Sequence, residues 1–350
     1  MAYTAIDDPS AYFQTTLYTG DGGGTRAVTH GGNSDLNADF VWIKDRGTTS
    51  THYLFDSVRG VQKHLTSAAA TAELSDANSL KAFNSNSFTL GTSGNVNGNT
   101  RNFVSWNWAG GTTASGNTNG SKAYSYSAST AAGFSVVTYT GNATAGHLIP
   151  HGMTKVPRLI HVKSRVDDNG WVTGSIVSAS AWNDHGYLYL ANVFGTDANQ
   201  FGATPDATNF RLGTGTGTNG NNGTRVALCF ADVKGYQKIG KYSGNGNADG
   251  PFVYTGFKPA FVMAKKMAGG AGSWWMRDNK IAPFNLASQV FVANSTGVET
   301  NGVATMDILS NGFKLRDTTD ATNSSNGTYI YHAMAENPFV TSTGIPACAR

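Results

Sequence analysis

Hydrophobic residues along this chain come in short runs, rich in Val, Ile, Tyr, Phe and Trp and closed off by Gly, Asn, Asp or Pro. Runs of that length and composition predict β-strands. Residues 134–230 show the pattern best, with apolar runs at 134–139, 158–162, 171–177, 187–190, 210–212 and 224–230. Helical spacing of apolar positions is absent from them. One helix is expected, over 68–83, where the sequence is Ala-rich and carries Leu74 and Leu80.

The runs recur as a set. Tyr18-Thr19-Gly20-Asp21, Tyr139-Thr140-Gly141-Asn142 and Tyr242-Ser243-Gly244-Asn245 each open a copy, and Phe88-Thr89-Leu90, Phe210-Arg211-Leu212 and Phe313-Lys314-Leu315 follow at 70, 71 and 71 residues from the Tyr. Apolar strands ending in Lys44, Lys163 and Lys265 align lysine on lysine. Such a unit is too long for a solenoid turn and long enough for a small domain with its own core. The expected architecture is all-β: three tandem small antiparallel β-sandwich domains of the jelly-roll kind. Their boundaries are a lead-in or docking arm at 1–16, repeat 1 at 17–110, a Gly/Ser/Thr/Asn-rich linker at 111–133, repeat 2 at 134–232, repeat 3 at 233–339 and a tail at 340–350. The short 232–238 junction predicts close packing of the second and third repeats and a more independent first.

Composition narrows the class. Gly 43 of 350 residues, with 13% charged and 39% hydrophobic, suits a turn-rich extracellular or virion protein better than a metabolic enzyme. The net charge of +3 is spread without a Lys/Arg cluster, which gives nucleic-acid binding no footprint. A membrane span and a secretory signal are both missing from the sequence, so synthesis and residence in a cytosol until assembly are expected. Cys229 and Cys348 have no neighbours of a zinc or redox motif; a buried thiol plus an exposed tail thiol is favoured over a 229–348 disulfide.

Candidate chemistry is sparse. Glycan hydrolysis needs facing carboxylates, and the Glu residues Glu73, Glu299 and Glu336 do not recur at aligned positions, so no catalytic residues and no enzyme are expected. Asp56 and Asp278 look equivalent, with Ser175 in the second copy. His147 and His151 flank Pro150, which argues against a helical metal pair. The turns Asp21-Gly22-Gly23-Gly24 and Asn245 to Gly250 offer oxygens to calcium but lack a full loop pattern, so no metal or cofactor is expected. Aromatic side chains are the best binding candidates, because sugar faces stack on exposed rings. Trp171, Trp274 and Trp275 begin strands beside Gly-rich turns, Trp182 lies in a polar loop unique to the second copy, and Asp278 follows the Trp pair. Trp106, aligned with Phe230 and Met334, is expected in the core.

The segments Tyr12 to Gly20, Phe40 to Arg46, Leu54 to Gly60, Phe88 to Gly91, Phe134 to Asn142 and Ala335 to Phe339 resemble a repeat domain of unassigned function in virion proteins of marine tailed bacteriophages. The resemblance covers nearly the whole chain. It implies a concanavalin A-like lectin sandwich and a place on the virion surface, in a tail fibre or spike that recognises host surface polysaccharide. The alternative it leaves open is a capsid decoration or head-fibre protein with a purely architectural role. The partners implied are other virion proteins, with a homotrimer expected by analogy to fibres, and it supplies no catalytic motif.

Overall fold

The computed structural model describes residues 2–347, and within them the chain is essentially all-β, built from antiparallel sheets. One strand order is used three times. A four-stranded sheet runs Phe13–Thr19, Asn102–Trp108, Phe40–Asp45, Tyr53–Asp56, and a three-stranded one runs Arg26–Thr29, Ser87–Leu90, Leu80–Asn84. The same order returns as Phe134–Thr140, Thr224–Phe230, Leu159–Ser164, Val172–Ser175 beside His147–Pro150, Asn209–Leu212, Phe201–Ala203. It returns again as Gln237–Ser243, Thr328–Pro338, Phe257–Ala268, Trp274–Asp278 beside Phe252–Tyr254, Gly312–Leu315, Met306–Leu309.

The recurring motifs have physical reasons. In each Phe-x-Leu strand the Phe and Leu are buried and the middle residue turns toward solvent, the alternation of a strand with one buried face. The opening Tyr hydroxyls donate to the carbonyls of Val96 (2.8 Å), Thr218 (2.7 Å) and Thr322 (2.9 Å). At Gly20, Gly141 and Gly244 a Cβ would collide with the carbonyl oxygens of Gly98, Gly220 and Ser324, so the turn needs glycine for close backbone approach. Buried Asn97, Asn219 and Asn323 complete this clasp: each Oδ1 accepts from the backbone N–H after that glycine, and each Nδ2 donates into the turn. Nδ2 of Asn97 and of Asn323 thus binds the very oxygens of Asp21, Gly23, Asn245 and Asn247 weighed as calcium ligands.

The central strands of the larger sheets are buried on both faces, as in Phe40–Asp45 and Leu159–Ser164, where every residue is buried. Val41 and Ile43 pack inside the first repeat with Phe88 and Leu90, while Phe40 and Trp42 join one cluster that also holds Phe134, Phe230, Phe261 and Met334. Trp108 lies 6.3 Å from the Phe230 ring and 6.0 Å from the Phe261 ring, so the first repeat is embedded in the common core and is not the independent unit its long linker suggested. Ladder pairing also shifts one equivalence. Trp108, Phe230 and Met334 pair with Phe40, Leu159 and Phe261, which makes Trp106 the counterpart of Leu228 and His332.

Three further expectations change. The 111–133 stretch, read as a linker, forms a hairpin of Thr112–Asn117 and Ala123–Ser129 that extends the second repeat's sheet, because Ser, Thr and Tyr there tolerate extended backbone. No helix forms over 68–83; the short strands Leu74–Ser75 and Leu80–Asn84 stand there, with Asp76 accepting from the Asn78 N–H to turn the chain between them. The lead-in docks onto the third repeat, with Ile6 in the core and the Tyr3 hydroxyl on Gly256 O at 2.7 Å, and in the tail Ser342 bonds Asp7. Cys229 is a buried thiol, and Cys348 lies outside the described residues.

Candidate functional site

Four of the five side chains singled out as ligand-binding candidates are buried: Trp171, Trp182, Trp274 and Asp278 present no surface to solvent. Trp182 packs on Phe201 at 5.5 Å within the second repeat. Trp171 and Trp274 instead join repeats. Trp274 pairs across its ladder with Lys265, and Trp171 and His52 occupy the corresponding places, one step beyond the pairs Val162–Val172 and Ile43–Tyr53. Trp171 Nε1 donates to Thr66 O (2.7 Å) in the first repeat, Trp274 Nε1 to Tyr187 O (2.8 Å) in the second, and His52 Nε2 meets Val292 O (3.1 Å) in the third. The three bonds run from repeat to repeat in a closed cycle. Beside them the aligned lysines are buried and bonded to carbonyls; Lys265 donates to Leu190 O (2.8 Å) and Gly272 O (2.6 Å). Burial pulls Lys44 and Lys163 down to about 8 and Lys265 to about 7.

Asp278 acts behind a surface feature. Its Oδ1 accepts from the N–H groups of Lys280 (2.9 Å) and Ile281 (2.8 Å), turning the chain out of the strand Trp274–Asp278, and its Oδ2 accepts from Trp106 Nε1 (3.0 Å) in the first repeat. Burial pushes its carboxyl up to about 6. The loop that leaves this turn walls a cleft of about 1030 Å³ in the third repeat. Asn285 fixes the far end of the loop, exchanging side-chain bonds of 2.9 Å with the Ile308 carbonyl and N–H. Between the two anchors Phe284 stands 80% exposed. Asn279, Lys280, Ser310 and Asn311 also line the cleft, and their side chains make no hydrogen bond within the described residues; Lys258 pairs with Glu336 at 2.6 Å. An exposed ring beside free amide, ammonium and hydroxyl groups is suited to a polyhydroxylated ligand with one apolar face.

Trp275 is the remaining sequence candidate. It is half-buried, on the strand that leads to this cleft. Phe284 is the residue sequence reading missed. Its signal is Pro283-Phe284-Asn285, a lone aromatic between turn-forming residues.

Sheets, clasps and cleft define a β-rich, multi-sheet protein, consistent with a structural or adhesive role. Residues 8–338 match the model of the family described as Domain of unknown function (DUF7483), and the chain belongs to that family. One match spans all three repeats. No curated protein and no solved structure matches the chain. Among the described residues no helix is long and apolar enough to cross a membrane.

Proposed function

We propose that this chain is a non-enzymatic bacteriophage virion protein, three lectin-like jelly-roll sandwiches joined in one body, that serves in a tail fibre or spike and holds host surface polysaccharide in the third-repeat cleft. The observation that carries the reading is Phe284, a large apolar ring exposed among hydrogen-bonding groups that the protein itself leaves unused. Sugars offer the matching chemistry, an apolar ring face rimmed by hydroxyls. Titration of host envelope polysaccharide into the purified protein, followed by calorimetry, is expected to give binding that Phe284→Ala removes. Binding unchanged by that substitution would move the site elsewhere, and no binding by the assembled protein would end the receptor reading.

A second reading is favoured by the burial of Trp171 and Trp274: these aromatic residues hold the repeats together, as an architectural capsid decoration or head-fibre protein would require. Copy number per virion separates the two, a few for a fibre and hundreds for a decoration.

A further inference from the structure

Among the described residues, the longer sheet edges are guarded with one exception, and the edge Phe252–Tyr254 is only three residues long. An unpaired edge is a template for another chain, and proteins blunt it with charge, proline, bulges or shortness. Gln237–Ser243 carries Lys238 and Lys241, His147–Pro150 ends in proline, and Met306–Leu309 carries Asp307. Leu80–Asn84 and Phe201–Ala203 are bulged, Gly195–Thr196 and Phe291–Val292 are two residues long, and Phe13–Thr19 is mostly buried along a second cleft. Thr112–Asn117 has none of these protections. It is six residues long, uncharged, free of proline, in continuous register with its partner strand Ala123–Ser129, and exposed at every position but Ala114.

The bond between Thr118 N–H and Lys122 O (2.8 Å) marks the even-numbered residues as bonded inward, so the N–H and C=O groups of Thr113, Ser115 and Asn117 point outward. They make no hydrogen bond within the described residues. We infer that this edge pairs with the same edge of a second copy, antiparallel about a two-fold axis at Ser115, joining two eight-stranded sheets into one. The set 113, 115, 117 is symmetric about its centre, so every outward group meets its complement. Charge favours the same occupant: strand meets identical strand without a like-charge clash, which Lys238 and Lys241 would create on the edge Gln237–Ser243. A pair of six-residue strands buries less than the roughly 1,200 Å² of a stable interface, so the dimer is weak and concentration-dependent. The two-fold pair differs from the homotrimer expected from the sequence, and the mass of the associated species separates the two.

Sedimentation velocity of the full chain over a rising concentration series tests it. The expected result is a monomer–dimer equilibrium that Ser115→Lys abolishes with circular dichroism and melting temperature unchanged. In a Cys348→Ser background that leaves only buried Cys229, Ser115→Cys is expected to give a covalent dimer on mild oxidation. A monomer at every concentration overturns the inference, as does a dimer that survives Ser115→Lys or one that Ser115→Cys fails to cross-link.

Discussion

At the scale of the residue, the recurring side chains act by satisfying buried backbone. Asn219 is fully buried and closes the second repeat's clasp with bonds to Asn142, Thr144 and Gly213. Asn219→Ala leaves those groups unpaired and is expected to cost about 1–3 kcal/mol in denaturant unfolding. Trp171→Ala removes a buried indole and its bond to Thr66, with an expected loss of about 3–5 kcal/mol. Buried histidines set the response to acid. Desolvation pulls His30 down to about 4 and His52, His161 and His332 to about 3 from an ordinary 6.5. Their folded forms stay neutral while the unfolded chain takes up protons from about pH 6.5 downward, so stability falls as pH falls from 6.5 toward 3. Burial lowers His64, His147, His151 and His185 as well, while Asp278, raised to about 6 from 3.8, and Asp232, also raised by burial, work the other way; the histidines outnumber the two acids. The melting temperature is therefore expected to drop steadily from pH 7 to pH 4, and a flat profile would contradict burial of these rings.

Among the elements, the same strand order is met with different edges. The hairpin of Thr112–Asn117 and Ala123–Ser129 covers Phe134–Thr140, whereas the corresponding strands Phe13–Thr19 and Gln237–Ser243 have no such cover. Short runs with strand composition marked most strands in the sequence, and the Phe-x-Leu and Tyr-(Thr/Ser)-Gly motifs located both sheets of each repeat. Residues 112–117 were not legible as a strand because Thr, Ser, Gly and Asn carry no apolar alternation, and their strand state is set by the neighbour they pair with; 123–129 does alternate, with Tyr124, Tyr126 and Ala128 between serines, a signal hidden by the Gly/Ser/Thr/Asn-rich composition around it. The reverse holds at 68–83, where helix-forming alanines yield to the sheet pairing of Leu80–Asn84 with Ser87–Leu90.

For the whole molecule, the shared core changes what kind of object this is. Three separate sandwiches would each melt alone, but Trp108, Phe134, Phe230 and Phe261 meet in one cluster, and the ring bonds of His52, Trp171 and Trp274 link every repeat to another. Calorimetry is expected to record one cooperative transition for the full chain. The isolated segment 134–232 exposes Trp171, Phe134 and Phe230 and is expected to aggregate or lack fixed tertiary signals in near-ultraviolet dichroism. Two or three resolved transitions, or a well-folded fragment, would show that the repeats are energetically separate.

Local pattern determined the strands, the repeat and the turn glycines, because period-two burial and close backbone approach are written in neighbouring residues. Tertiary structure alone decided which face of each strand meets another repeat. Trp171, Trp274 and Asp278 look the same in sequence whether a strand's second face is bare or covered. Only the closing of three repeats on one another covers it, and so takes those residues from the surface and leaves Phe284 there instead.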